Sequence, residues 1–415
     1  MISSSRLARA LIVGLLLAAG GACSSDDGDL DEPGGPVEPG PPPPPPPAPP
    51  PPPSGDPTLS VAGGGNNVPE RFTSDLWVSG GYAYTGTWGA FPRDETQGDA
   101  LKIWSLEGPA APLLVDSIVV PDVYNVSDVE VSSDGSVLMF SAEANGTADG
   151  LYFYDLADPA KPSLTEMVQV APGVHTATFG YIGGRRYVFA AKNAPEPALR
   201  IFDATDPTAV TSVASVPIPP HYGLHDTYVR DGIAFAFAWN TGVIIYDVGK
   251  GIRGGSPAAP VEVSRLITAA GASKSPAVHN GWWFHNPVTQ EARYLFVGQE
   301  GPSTLGVEAS GDIHVVDVSD LADPREVASF HLEGAGTHNF WMDEANQILY
   351  AAYYNGGVVA LDVSGTLTGD LGNRLIGQIR PGGENNTFTW SVMLADGSLY
   401  ASDMLSGLWK LAVEP

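Results

Sequence analysis

The feature that most constrains this chain is a short apolar run, often ended by Asp, that keeps coming back. It reads Leu101-Lys102-Ile103-Trp104, Leu151 to Asp155, Leu199 to Asp203, Val243 to Val248, Ile313 to Val318, Val358 to Val363 and Leu408 to Leu411. The step from Asp155 to Asp203 is 48 residues, from Asp203 to Asp247 44, and from Asp317 to Asp362 45. The step from Asp247 to Asp317 is 70 and holds an insertion. The clearest copy is Leu224 to Val248, which reads as three short strands. Asp231-Gly232 between two apolar runs predicts a tight hairpin, and Asn240-Thr241-Gly242 a second turn. Such a meander cannot bury both faces alone and needs neighbours of its own kind. A period near 45–50 residues with several strands per unit predicts an all-β, seven-bladed β-propeller.

The units run Phe72 to Val120, Val126 to Val170, Val174 to Pro219, Leu224 to Ile267, Val278 to Leu332, Thr337 to Ile379, and Thr387 to the end. In the first six a fourth strand follows the third: Leu113–Val119, Leu164–Val170, Val210–Val216, Val261–Ile267, Glu326–Leu332 and Arg374–Ile379. The seventh stops on its third strand. Thr58 to Ala62, a strand-like run ahead of unit one, has no unit of its own and is expected to close the last blade beside Leu408–Leu411. Residues 58–415 therefore read as one domain. With 49 glycines the chain has the turn content such a fold demands.

The runs Ile244-Ile245-Tyr246-Asp247-Val248 and Val315-Val316-Asp317-Val318, followed elsewhere by Asp-Pro turns (Asp158-Pro159, Asp206-Pro207, Asp323-Pro324), resemble the LVIVD-repeat β-propeller family. The resemblance covers most of residues 70–415. It implies an exported bacterial propeller, often lipid-anchored, whose members mostly lack an assigned activity. The Gly-His and Trp-Asp marks of WD40 repeats do not recur.

Residues 1–22 carry Arg6 and Arg9, then an apolar core from Leu11 to Ala19 too short to span a bilayer as a stable helix, then small residues before Cys23. This resembles a bacterial lipoprotein signal, with Gly20 where Leu or Val is usual; the alternative is an ordinary secretory signal cleaved after Ala22. Cys23 is the sole cysteine, so no intramolecular disulfide forms, and it is the candidate lipidation site. Residues 23–57 read as a tether. Acidic residues come first; Pro41 to Pro53, broken only by Ala48, must then extend as polyproline II. The expected location is the bacterial cell envelope, on a membrane through the lipid anchor.

The first strand of each propeller unit lies innermost, so equivalent positions converge on the axis. The pair opening it reads Ser74-Asp75, Ser127-Asp128, His175-Thr176, His225-Asp226, His279-Asn280, His338-Asn339 and, in the last unit, Trp390-Ser391. Four of the 8 histidines occupy this one position. His175, His225, His279 and His338, with Asp226 and Asp128, are the candidate ligand-binding set at a channel mouth. The four imidazoles are candidate ligands for a transition metal such as zinc, copper or iron, and Glu130 is a further channel candidate. The other reading is that a wet channel simply favours polar side chains. Trp88, Trp239, Tyr353, Tyr354 and Glu300, near second-to-third strand turns, form a second candidate surface, with blade packing as the alternative. His285 is a candidate neighbour of the channel group; His221, His314 and His331 do not share the repeat position. The strand-end residues Asp155, Asp203, Asp247, Asp317 and Asp362 suit turn-capping, not catalysis.

No phosphate loop, nucleophile elbow or cysteine pair is present. With Lys+Arg 20 against Asp+Glu 47, the net charge of −27 argues against nucleic acid as a partner. Two functions remain open. One is a tethered binding or scaffold protein for a protein or small-molecule partner. The other is a metal-dependent enzyme, loosely like the selenium-binding and methanethiol-oxidase propellers, which use channel histidines. No catalytic residue is assigned.

Overall fold

Hairpin after hairpin fills the computed structural model, which describes residues 58–66, 70–89, 97–108, 111–219 and 223–414. These fall in one compact unit, Pro51–Pro415. The leader, Cys23 and the tether lie outside the described residues, as does His221.

The meander that organises the sequence is built as its pattern dictates. Asp226–Arg230 pairs with Ile233–Phe237, which pairs with Val243–Asp247, which pairs with Val261–Leu266, all antiparallel. Asp231 (φ 51°) and Gly232 (φ 74°) are both left-handed, as a two-residue turn between twisted strands requires. Four-stranded sheets of the same order recur at Val174–Ile182 onward and at Phe340–Asp343 onward. The Val278–Phe284 sheet gains a fifth strand, Gly369–Asp370, parallel to Arg325–Phe330. Two further four-strand sets, opening at Phe72–Ser79 and Val123–Val131, merge into one sheet through Thr87 opposite Val126 and Trp88 opposite Asn125. In the last sheet Thr58–Asn66 lies antiparallel to Gly407–Glu414, with Leu59 opposite Val413 and Val61 opposite Leu411.

Burial grades across each sheet. Ile233–Phe237 and Val243–Asp247 are buried at every residue, while Leu113–Val119 is mostly exposed. Middle strands are covered on both faces by neighbouring sheets, so they read as continuous apolar runs instead of alternating. The clusters prove the contact: Phe189, Leu199 and Ile201 pack with Ala234, Ile244 and Tyr246 of the next sheet. Leu76, Val78 and Trp104 near the N-terminus pack with Met393, Tyr400 and Leu408 near the C-terminus.

The insertion between Asp247 and Asp317 is organised by one fully buried side chain. Gln299 donates to the carbonyls of Ala270 and Ser275 (2.9 and 2.8 Å) and accepts from the amide of Asp312 (3.2 Å). The adjoining residue, Glu300, is thereby fixed in place.

Candidate functional site

An ordinary strand sends successive side chains to opposite faces, so a His and the residue after it cannot both face the axis. The sheets solve this with register shifts at that point: between Thr73 and Leu76, Val126 and Val129, Val174 and Ala177, Val278 and Asn280, and Thr389 and Ser391. A bulge inserts an extra residue and re-aims its neighbours. His225 and His338 instead precede their strands, held by amide bonds to the carbonyls of Phe237 and Ala352 (both 2.8 Å).

All four imidazoles come together. Ring centroids are 4.4 Å apart for His175 and His225, 4.1 Å for His225 and His279, and 4.0 Å for His279 and His338. Trp390 continues the series 4.3 Å from His338, and Trp88 lies 5.2 Å from Trp390 and 5.9 Å from His175. The six rings form a closed cycle. Trp239 stacks on His225 at 5.0 Å, and Tyr354 lies 4.9 Å from His338. The two candidate groups of the sequence, channel histidines and turn aromatics, are therefore one site: the end of each second strand adjoins the start of the first. Tyr353 departs from this, being buried in an apolar cluster. The site is unevenly enclosed: His279 is 2 % exposed and His338 3 %, while the side chains of His175 and His225 each keep 17 %.

Two glutamates serve the cycle. Glu300 Oε2 lies 3.7 Å from His225 Nε2 and 3.9 Å from His279 Nε2, and Tyr354 donates its hydroxyl to Glu300 Oε1 at 2.6 Å. One ligand atom from each of His225, His279 and Glu300 lies within 4.8 Å of the others. Glu143, which the sequence gave no reason to single out, accepts from His175 Nδ1 (3.1 Å), Asn125 (2.6 Å) and Asn193 (2.6 Å). Its only signal is its place at the end of a second strand.

Protonation follows from these contacts. Burial, then the neighbouring imidazoles, hold His225 and His338 well below the usual range. Burial pushes His279 down to about 3. Burial also pulls on His175, but the Glu143 carboxylate outweighs it and the net shift is upward. Burial raises Glu300 despite the bond from Tyr354. Three neutral imidazoles thus stand beside one that favours its cationic form. His338 Nδ1 donates to the Trp390 carbonyl at 2.8 Å, which leaves a lone pair on Nε2. Neither ring nitrogen of His279 has a hydrogen-bond partner of good geometry, nor does His225 Nδ1; the Asn280 side chain offers His279 a weak one.

One residue further along the strands is a layer of carboxylates. Asp128 accepts from the amide of Ala177 (2.7 Å), Asp75 from that of Val129 (3.1 Å), and, two residues beyond Asp128, Glu130 from that of Phe179 (2.7 Å), each in the strand set that follows. Asp226 accepts from Thr227 at 2.6 Å. Burial raises all four, Asp226 to about 7 and Glu130 to about 8; the Asp75 and Asp226 charges add to the rise at Asp128. A cavity of about 20 Å³ lies between the imidazoles and Asp128, Asp226 and Asn339. Beyond it opens one of about 310 Å³, sharing those three residues.

The remaining candidates lie apart. His285 follows the far end of Val278–Phe284, against Trp283 (4.5 Å) and Asp231 (3.9 Å), so it is no neighbour of the cycle. His314 pairs with Glu326 and His331 with Asp312, both at 2.8 Å. The strand-end carboxylates accept backbone amides: Asp155 from Ala157, Asp203 from Thr205, Asp317 from Ser319 and Asp362 from Ser364, at 2.7–3.0 Å.

Comparison with known proteins agrees with this architecture. The LVIVD repeat model matches residues 70–91 and 308–331. The β-propeller domain of Cps50 (Swd1) from Myceliophteria thermophila superposes with a TM-score of 0.55 at 13% identity, covering 83% of this chain and 98% of that one. At that identity the likeness concerns fold alone. No curated protein matches the sequence. The chain is an all-β propeller that carries LVIVD repeats.

Proposed function

We propose that this is an exported, membrane-tethered binding protein whose hub holds a divalent transition-metal ion on His225, His279 and Glu300, with His338 and His175 beside it. The observation that carries this is His279: a buried imidazole with neither nitrogen in a well-formed hydrogen bond, only a weak approach from the Asn280 side chain. A buried polar group without a partner costs about 1–3 kcal/mol, and a metal ion repays that at one nitrogen. The 3.7 and 3.9 Å separations to Glu300 are too long for hydrogen bonds. They are near what two ligands about 2.1 Å from a shared ion adopt. Protein purified without a histidine tag should carry or take up one equivalent of zinc or copper by elemental analysis. The double variant His225→Ala/His279→Ala should lose it; unchanged metal content in a folded double variant would reject the site.

A second reading, a metal-dependent enzyme, is favoured by a three-residue ligand set whose two histidines border a cavity of about 20 Å³, with the larger chamber beyond it. Three protein ligands leave a position for water or substrate. Azide should then perturb the visible spectrum of the cobalt-substituted protein, and an unresponsive spectrum would exclude an open position.

The frame we infer is seven blades, the merged sheet counting as two and Thr58–Asn66 supplying the outer strand of the last. Pairing of that strand with Gly407–Glu414 supports it. Deletion through residue 63 should lower the melting temperature, and deletion through 56 should not. Anchoring rests on the apolar Leu11–Ala19 ahead of the sole cysteine. Cys23→Ala should free the protein from membranes or block its processing, and an unmodified Cys23 on a soluble mature chain would rule lipidation out.

A further inference from the structure

The metal reading leaves the larger chamber unused. Its volume of about 310 Å³ is at the lower end of small-molecule sites. Its lining includes the acids Asp75, Asp128, Glu130 and Asp226 and the aromatics Trp77, Tyr228, Trp282 and Trp341. The aromatics form a continuous collar, with centroids 6.1 Å apart for Trp77 and Trp341, 5.2 Å for Trp282 and Trp341, and 5.3 Å for Tyr228 and Trp282. We propose that this chamber binds a primary alkylammonium ion, its charge among the four carboxylates and its hydrocarbon against the tryptophans. The proposal is independent of the metal: either site can fail without the other.

Charge selects the class. Arg230 is the one basic residue lining the chamber, and it is spent on Glu344, in two bonds of 2.5 and 3.2 Å. Four acids against one neutralised guanidinium repel anions and attract cations. The aromatic collar adds the negative faces of its rings, which hold cations in a dry site. Acceptors select N–H donors over a quaternary head. Glu130 takes both of its bonds at Oε2, from the amide of Phe179 and the hydroxyl of Thr178. Asn280, 4 % exposed, adds a neutral polar side chain to the same lining. The carboxylates are anchored by backbone amides and do not have to be organised by the ligand. Burial keeps them partly protonated when nothing positive is near, a state that a bound cation relieves.

The test is calorimetric titration of the full chain with butylammonium, tetramethylammonium, 1-butanol, butyrate and glucose, with tryptophan fluorescence in parallel. Butylammonium should bind in the millimolar range or tighter and quench the fluorescence. It should bind about tenfold more tightly than tetramethylammonium, while the alcohol, the acid and the sugar give no signal. Glu130→Gln and Trp341→Leu should each weaken butylammonium about tenfold, by loss of a charge-assisted contact and of a ring face, with zinc content unchanged. Binding of 1-butanol or glucose as strong as that of butylammonium, or no butylammonium binding at all, would overturn the proposal. These arms need only the unaltered protein and decide the matter even if a variant fails to fold.

Discussion

Two sets of repeated side chains occupy equivalent places in successive sheets, and they are treated in opposite ways. At the strand ends, each carboxylate accepts a backbone amide from the turn that follows it. Asp247 is the extreme case: fully buried, it accepts the amides of Gly249, Gly251, Arg253 and Gly255. At the hub, His279 is nearly as deeply buried and has no well-formed hydrogen bond at either nitrogen. Both sets recur, so recurrence does not separate structure from function. Satisfaction does: a polar group that finds all its partners nearby is part of the frame, and one left wanting is waiting for something.

The contrast can be broken by substitution. Asp247→Ala removes the shared acceptor of four turn amides, which water can reach in part, and should destabilise by about 2 kcal/mol in chemical denaturation, with zinc binding untouched. A loss below 1 kcal/mol would mean that the turn re-forms without its carboxylate. His279→Leu should do the reverse. In chelator its stability should match or exceed that of the unaltered protein by up to about 1 kcal/mol, since a poorly paired polar group has gone. The stabilisation of about 2.7 kcal/mol expected at a hundredfold excess of zinc over Kd should vanish. A large loss of apo stability would instead make His279 a member of the frame.

Acidity sharpens the comparison further. Burial alone would raise Asp247, but its four amides outweigh that and hold it at about 2. Its folded value lies below the unfolded one, so its contribution is complete above about pH 4 and is lost as the pH falls through 2. Asp247→Asn should flatten that part of the stability–pH curve; an unchanged slope would contradict the assignment. The smallest effect belongs to the exposed pair of Arg185 and Asp203. Arg185→Ala should leave the melting temperature almost unchanged, because solvent screens such pairs. A clear drop would show that the strand-end carboxylate depends on its cation as well as on its amide.

Much of this frame can be read in the letters, because strand repeats are local. Asp231-Gly232 announces its turn, and Leu113–Val119 is a strand with the bounds its pattern predicts. The column of four histidines is also visible, since a repeat places equal positions at equal depth. Other features depend on geometry no local pattern encodes. The bulges that let His175 and Thr176 share a strand start leave no distinct mark. Glu143 and Glu300 belong to the hub because a second strand ends where a first begins, a relation across the ladder and not along the chain. His285 is six residues from His279, and that distance along an extended strand carries it to the opposite end.

The amide bonds from the carboxylate layer to the following sheet also bear on how the molecule comes apart. Asp75 reaches Val129, Asp128 reaches Ala177 and Glu130 reaches Phe179, so the first unit grips the second, and the second the third, at their innermost points. A solenoid can fray from an end because each repeat leans only on its neighbours. Here the grips gather at the centre, so whatever sits there acts as a keystone. Filling the hub should then sharpen the unfolding transition as well as raise it, and emptying it should let single units loosen before the whole gives way.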